Sequence, residues 1–454
     1  MVEEFKKVLG FWSCFAVAVG LVVASTTLVS LGQGMGIGGG GFLYAMVAAW
    51  VLQLFSAMTY GELGTMLPRA GGINTYTLVA MGPLPAIVAT FCGYIIVNLL
   101  AGPAELAVAG FVFTDVFAGW CPPMLFSIFL LIFLTVMNLL GADIFAKVQI
   151  FFTTVMIGSI GILGIIGVME IAGPVPNIPP PPSFNPMGWE VFSLLAMGIW
   201  LFIGIEFVTP LAEETISPGR NIPWSMFIGL AVILLVKALY GFASIKYVPM
   251  AGLAESTHPH IDVARALLGA GGGIWIGIVS ICATASTVNS ILAAVPRLCY
   301  GMAHSGELPL VFGWLHPRFR TPWIGIIILA LAMSAVLLSG LAGIDAIVTY
   351  MMAAAWTWIL CYIIAHVDLI ILRQRYPDYV RPYRSPFFPI PQILGILGMI
   401  YVMINIYPDP IMRDQIIKLA IYFLMGSICY GILWIKLKMK TELFQSIPID
   451  KVRH

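Results

Sequence analysis

The chain has 454 residues, of which 60% are hydrophobic and only 9% charged, a composition that excludes an ordinary water-soluble globular domain. Its net charge of +1 says nothing by itself about partners, and no nucleic-acid partner is expected. A helix crosses the hydrocarbon core of a bilayer with about 20 apolar residues. The sequence supplies twelve such runs, at 11–33, 42–66, 86–110, 123–140, 148–170, 189–212, 224–248, 273–303, 322–341, 345–372, 387–407 and 415–437.

The placement of Lys and Arg orients these runs. With the N-terminus in the cytosol, sixteen of the twenty-two basic residues fall on the inner side, among them Lys6, Lys7, Arg69, Arg220, Arg318, Arg373, Lys438 and Arg453. Four fall outside (Lys246, Arg265, Arg413, Lys418), and Lys237 and Arg297 lie within helices. The positive-inside rule therefore places both termini in the cytoplasm of a plasma or inner membrane. No cleavable signal peptide is expected, because the first run is long enough to span. The seven cysteines are scattered without paired spacing and read as small core residues, not a disulfide frame or metal ligands.

Taken in order, the chain reads as a cytoplasmic tail (1–10), a first five-helix repeat (11–170) and a Pro-rich external loop (171–188) containing Pro179 to Pro182. A second five-helix repeat (189–372), two further helices (387–437) and a cytoplasmic tail (438–454) follow. Each repeat opens on an interrupted helix. The first has small, hydroxylic residues at its centre, Val23-Ala24-Ser25-Thr26-Thr27, before the Gly-rich stretch 32–41; the second carries Gly198-Ile199-Trp200-Leu201-Phe202-Ile203-Gly204-Ile205-Glu206. Matching irregularities in two halves of odd helix number imply an inverted repeat with a site at its centre, the architecture of a carrier. The segment 249–272, with His258, His260, Asp262 and Arg265, reads as a solvated external loop with a short helix over the entrance.

An acid inside a bilayer is costly, so Glu206 is expected to face a cavity, carry a proton or meet a cation. Unwinding near Gly204 would let Trp200 and Glu206 face one cavity and free backbone groups for a ligand. The competing reading is a packing helix in which Trp200 supplies bulk, Gly204 a close contact and Glu206 a bond to a neighbour.

Four segments extend this reading. After Glu206 comes Pro210-Leu211-Ala212-Glu213-Glu214-Thr215-Ile216-Ser217-Pro218-Gly219-Arg220. The second helix ends Tyr60-Gly61-Glu62-Leu63-Gly64 and runs to Pro68-Arg69-Ala70-Gly71-Gly72. The eighth ends Pro296-Arg297-Leu298-Cys299-Tyr300 and runs to Gly306-Glu307-Leu308-Pro309, and Arg381-Pro382-Tyr383-Arg384 follows the tenth. In this order the four resemble the signatures of the amino acid, polyamine and organocation (APC) superfamily of transporters. The resemblance implies a LeuT-like, all-α fold of about twelve transmembrane helices, a five-plus-five inverted repeat with broken first and sixth helices. It also implies that Trp200 is a stacking and gating aromatic and Glu206 an acid tied to gating or proton coupling.

Glu62, Glu213 and Glu214 beside Arg69, Arg220 and Arg297 are candidates for ion pairs that close the inner side, the alternative being interfacial charge. Members of the superfamily commonly carry Gly-x-Gly at the first break, where bare amides receive a substrate carboxylate; here that place aligns with Ala24-Ser25-Thr26. Either hydroxyls sustain a carboxylate pocket or the substrate is an amine without one.

In the third helix Asn98, Gly102 and Glu105 share a face beside Pro103, and Glu105 with Glu206 would make an anionic cavity. Glu105 paired with a basic side chain is the alternative. Lys237 lies too deep in the seventh helix to reach the interface, so it should be paired or neutral. In some relatives a fifth-helix lysine replaces a sodium ion; the corresponding residue here is Met156. Ser280, Thr284 and Thr287 of the eighth helix read as interhelical glue. His366 and Asp368 read as interfacial, and Trp356 and Trp358 as packing or lipid-facing.

These residues describe a secondary-active permease for an amino acid or related small amine, working by alternating access, proton-coupled or exchanging. The expected substrate contacts are Ala24, Ser25, Thr26, Thr27, Asn98, Glu105, Trp200, Phe202, Ile203 and Gly204, with Glu206 and Lys237 for coupling or gating. No cofactor or bound metal is expected; the coupling ion is H+ in preference to Na+, and the lipid bilayer is a further expected partner, with the oligomeric state left open by the sequence. A polyamine or organic-amine carrier and a membrane sensor of the same fold are the alternatives. No His-Glu-x-x-His or Ser/His/Asp arrangement at membrane depth supports an enzyme.

Overall fold

The computed structural model of the chain describes residues 5–172, 183–340 and 344–452, so Pro179 to Pro182 of the connector lie outside the described residues. Within these, eight helical stretches are long and apolar enough to cross a bilayer, and four further apolar helices are shorter. The chain is a multi-pass integral membrane protein.

In the first block, α1 (Phe11–Val22) and α2 (Ser25–Gly38) are the two halves of a broken first span, and α3 (Phe42–Met66) is the second. A short helix, α4 (Ile73–Ala80), precedes α5 (Pro83–Thr90), which continues through a π-turn into α6 (Ile96–Val116) as the third span. The block closes with α7 (Pro123–Leu139) and α8 (Ala142–Val168). Proline at the first position of α5 and α7 starts each helix where its missing N–H is no loss.

The second block begins with a 3-10 stretch, Gly188–Leu194, leading into α9 (Leu195–Trp200). A turn at Leu201–Gly204 follows, and the span resumes as a ten-residue 3-10 helix, Ile205–Glu214, instead of an α-helix. Then come α10 (Pro218–Tyr247), α11 (Met250–Glu255), α12 (Pro259–His304), α13 (Trp323–Leu338) and α14 (Ile344–Arg375). Two more helices, α15 (Ile390–Ile404) and α16 (Pro410–Trp434), pack outside the repeats against α3 and α14 and against α5 and α14. This is the five-plus-five arrangement with its first and sixth helices broken.

The two broken spans meet at the centre. The α1 half packs on α8, α10, α12 and the inner half of the sixth span. Gly20 of α1 makes this possible, since a Cβ there would fall within 2.2–2.5 Å of Gln149, Ser286 and Thr153 side-chain atoms. Both described ends of the chain lie on one face of the bundle, hereafter the termini face.

The segment 249–272 is more ordered than a solvated loop. Helix α11 is followed by α12, whose first turns run to a break at Leu268 and Gly269, and the eighth span proper begins beyond it. His260 is buried, with Tyr240 donating to its carbonyl at 2.8 Å. The apolar cover of Ile261, Val263 and Ala264 draws this helix onto the bundle. His258 is part-exposed, and Arg265 pairs with Asp115 at 3.1 Å.

Candidate substrate site

At the first break Val23 has φ −92° and ψ 65°, and Ala24 is extended at the N-cap of α2. The last carbonyls of α1 and the first amides of α2 are thereby left without helical partners. At the second break Gly204 sits at φ +102°, a region open to glycine. A Cβ there would also fall 2.1 Å from Leu21 Cδ2, so a larger residue would have to displace that side chain as well as strain the backbone.

Glu105 meets the amide end. Ser25 N donates to its Oε2 and Thr26 N to its Oε1, each at 3.1 Å, and the Thr26 hydroxyl also donates to Oε1. Thr284 Oγ1 adds a bond to Oε2 at 3.3 Å. A carboxylate capping a helix N-terminus satisfies both amides and the dipole. The bonded partners of Glu105 are the broken helix and Thr284, and among the described residues no salt bridge joins it to a basic side chain, although Lys237 lies close enough for their charges to interact.

Lys237 meets the carbonyl end. Its ammonium donates to Leu201 O at 2.7 Å, Thr27 Oγ1 at 3.0 Å and Val22 O at 3.5 Å. The ring of Phe202 lies beneath it, 6.0 Å from Nζ to centroid.

Glu206 departs from the sequence expectation. Instead of sharing a cavity with Trp200 and Glu105, it accepts from Trp358 Nε1 at 2.8 Å and Tyr362 OH at 2.7 Å on α14. The 3-10 winding after Gly204 turns it toward the tenth span. Tyr362 OH in turn accepts from Gly204 N at 3.0 Å, which ties the break itself to α14. Trp358 is therefore a site residue, not a lipid-facing one; it is buried and stands between Glu206 and the central cavity. The pair Trp358 and Tyr362, four apart on one helical face, was the missed signal.

A narrow central cavity of about 20 Å³ is bordered by Ala24, Thr27, Asn98, Glu105, Trp200 and Ile203, together with Leu21, Val22, Thr287 and Trp358. Six of the ten expected contact residues thus share one space. Thr26 borders a larger vestibule instead, and Ser25, Phe202 and Gly204 lie behind the wall. Ser25 is turned away to the eighth span, its hydroxyl donating to Ser280 O at 2.7 Å. Gly102 is packed against Met333 and Ile291 and does not reach the cavity face that Asn98 and Glu105 share.

The vestibule, about 90 Å³, is bordered by Thr26, Ser30, Gln33, Phe111, Met197, His258 and Tyr407 and lies toward the face opposite the termini. Trp200 Nε1 donates to Thr26 Oγ1 at 3.2 Å, closing the passage between vestibule and cavity.

The termini face is shut by charge and backbone. Arg297 holds Glu214 through two bonds, at 2.5 and 2.9 Å, with both side chains almost wholly buried. Val8 N and Leu9 N both donate to Glu214 O at 2.9 Å, and Ile216 N to Leu9 O at 2.8 Å, so the segment before α1 is stitched to the end of the sixth span. Glu213 accepts from Ala70 N at 3.1 Å and lies 3.9 Å from Arg69. Two expectations change. Arg220 is exposed and forms none of these pairs, because the turn at Ser217 carries it outward. Glu62 pairs with Arg373 at 2.6 Å and lies 3.0 Å from Arg381, joining the second span to the segment after the tenth.

His366 and Asp368 are buried, not interfacial, bonded to Thr59 and Thr77 respectively. Glu307, in the turn after α12, is fully buried, and burial pushes its carboxyl up to about 8, opposed by the nearby Asn74 amide.

Two broken helices whose ends face each other at mid-bundle, closed on one face and open on the other, are the arrangement of a carrier. The chain belongs to the amino acid permease family, which matches residues 9–432. It is 28% identical over 373 residues to the human cystine/glutamate transporter, covering 79% of this chain and 72% of that one. It is 25% identical to the branched-chain amino acid permease BcaP of Bacillus subtilis (strain 168), covering 93% of each. A solved structure of a manganese transporter from Eremococcus coleocola shares its LeuT-like fold, with a TM-score of 0.62 at 14% identity over 96% of this chain and 98% of that one.

Proposed function

We propose that the chain is a secondary-active permease for an amino acid or a related small amine, cycling between an open vestibule and an open termini face. The observation that carries this reading is the central cavity bordered by both breaks, with the Thr26–Trp200 bond on one side and the Glu214–Arg297 pair on the other. The family and the amino acid substrates printed in the relatives' names support it. The Lys and Arg distribution supports a cytoplasmic termini face, with the vestibule opening outward.

One observation favours a second reading within this class. Glu105 already occupies both amides at the start of α2, which a substrate carboxylate would otherwise take. An amine without a carboxylate needs no such vacancy and finds in Glu105 a counter-charge on the cavity wall.

Glu206 is the proposed coupling group, held by Trp358 and Tyr362 and linked through Tyr362 to Gly204, so that its proton and the geometry of the break change together. Counterflow in proteoliposomes, with a panel of amino acids and their decarboxylated amines at two pH values, tests the reading; inertness toward every member of the panel would sink it. Glu206→Gln is expected to cut uptake at least ten-fold and flatten its pH dependence while thermal stability changes little. Wild-type pH-dependent uptake in that variant removes Glu206 from coupling.

A further inference from the structure

Two buried acids stand outside the cavity and its gates. Asp368 on α14 and Glu307 in the turn after α12 are 0% exposed, as is Glu206. Asp368 Oδ1 and both carboxyl oxygens of Glu307 have no hydrogen-bond partner, and the same holds for both amide atoms of Asn74 on α4. Buried polar groups are rarely left so, and here they fall along one line. Glu206 is bonded to Tyr362, and the preceding residue, Cys361, lies close enough to both Glu206 and Asp368 for their charges to interact. Cys361 and Asp368 are seven apart on α14, on one helical face. The Thr77 hydroxyl donates to Asp368 Oδ2 at 2.6 Å, and Asn74 shares the face of Thr77, one turn earlier on α4. The Asn74 amide in turn stands beside Glu307. Gly306, next to Glu307, is exposed, and the turn is pinned to α16 by Trp434 Nε1 donating to Gly306 O at 2.9 Å and Tyr430 OH donating to Glu307 O at 3.1 Å. The line thus runs from mid-bundle to the termini face.

We propose that Asp368 and Glu307 form a proton relay that joins Glu206 to the termini face while that face is shut. The inference rests on Glu206 being the coupling group and adds which side of the membrane sets its protonation. A proton entering from the termini face is taken up by the Glu307 carboxylate and crosses the Asn74 and Thr77 face of α4 to Asp368. From there it reaches Glu206 past Cys361 and Tyr362, and release follows the same steps in reverse. Buried carboxyls in series suit this task, because each holds the proton as a neutral group between hops. The gaps beside Asp368 Oδ1 and Glu307 have polar groups on both sides, so about one or two waters there would carry the hop across. The titratable groups facing the line are the phenols of Tyr60, Tyr94 and Tyr362 and the Cys361 thiol around Glu206, and Tyr430 of α16 beside Glu307. Among the described residues no lysine or arginine pairs with Asp368 or Glu307, so neither acid is held in an ion pair. His366 takes no part, since it faces away from Asp368 and bonds Thr59 through Nδ1.

The test sets the pH on the two sides of oriented proteoliposomes independently and follows counterflow of the panel member that the wild type exchanges fastest. Wild-type rates are expected to change about five-fold or more across roughly two units of termini-side pH, and less than about two-fold with the vestibule-side pH. Asp368→Asn and Glu307→Gln, neutral and of the same shape, should reduce the termini-side response to less than about two-fold while keeping the maximal rate within about two-fold of wild type. Thr77→Val, which keeps both acids but removes the hydroxyl between α4 and Asp368, should weaken the response several-fold. A second readout is infrared spectroscopy of the substrate-free protein moved into D2O at mildly acidic pH. Exchange of the Glu206 carboxyl proton, recognised by the band that Glu206→Gln loses, should slow at least ten-fold in Asp368→Asn and Glu307→Gln. Wild-type rates that follow only the vestibule-side pH overturn the proposal, and so does failure of all three variants to fold, which would show these groups to be structural. Termini-side dependence or fast exchange persisting in the folded variants sinks the relay alone, whereas rates indifferent to pH on both sides sink the coupling role of Glu206 and the relay with it. The infrared readout needs no substrate, so it decides the relay even where the counterflow panel shows the permease reading to be wrong.

Discussion

Glu105→Ala is expected to shift the ratio of amine to amino acid uptake at least ten-fold toward the amino acid, and to cut amine uptake itself more than ten-fold. The wild-type carboxylate takes both free amides at the start of α2 and the hydroxyls of Thr26 and Thr284. Removing it leaves two buried N–H groups unpaired, at a cost of about 1–3 kcal/mol each. A substrate carboxylate is the one ligand able to recover both bonds, since it presents the same two oxygens to the same helix end. An amine loses its counter-charge and recovers nothing. Counterflow with one amino acid and its decarboxylated amine, run side by side on wild type and variant, reads the ratio directly. Glu105→Gln separates charge from shape: it keeps one acceptor oxygen and points an NH2 at a donor, so it should lose the amine without gaining the acid. An unchanged ratio in Glu105→Ala would show that Glu105 caps the helix and takes no part in selecting substrate.

The second large effect belongs to the closed termini face. Truncating one partner of a buried, bidentate ion pair leaves the other charge stranded, which costs about 3–5 kcal/mol of the state that contains the pair. For Glu214 and Arg297, whose side chains are 2% and 3% exposed, that state is the one with the termini face shut. Either Glu214→Ala or Arg297→Ala should therefore shift the population toward an open termini face. Cys14 reports this shift, because its thiol is buried behind the closure, 3.6 Å from Thr215 Oγ1. A membrane-permeant thiol reagent should label Cys14 at least ten-fold faster in each single variant, with Cys14→Ala as control. The double variant should label more slowly than the sum of the single effects predicts, since neither charge is then left alone. Equal labelling rates in wild type and single variants would show that the pair does not hold the closure.

The sequence by itself determined a good deal. Runs of apolar residues of bilayer length fix the class, because no soluble fold hides so much apolar surface. The first break was legible at Val23 to Thr27 and the second around Gly204, since small, hydroxylic or glycine residues at the middle of a span lower the cost of leaving the helix. Glu105, Glu206 and Lys237 stood out because charge at that depth must be compensated.

What the tertiary structure decided was the compensation. A helical period says which residues share a face but not which way an interrupted helix turns after its break. The 3-10 winding beyond Gly204 sends Glu206 to Trp358 and Tyr362 and away from Glu105. The offset between the second and tenth spans gives Glu62 to Arg373 and Arg381 and leaves Arg220 outside. Lys237 finds the freed carbonyls of two helices that are 179 positions apart at Val22 and Leu201, a meeting set by how the two repeats pack and by nothing in the local sequence. Single-residue chemistry is written along the chain, whereas pairing depends on the rotation and depth of neighbouring spans, and these exist only once the bundle has closed.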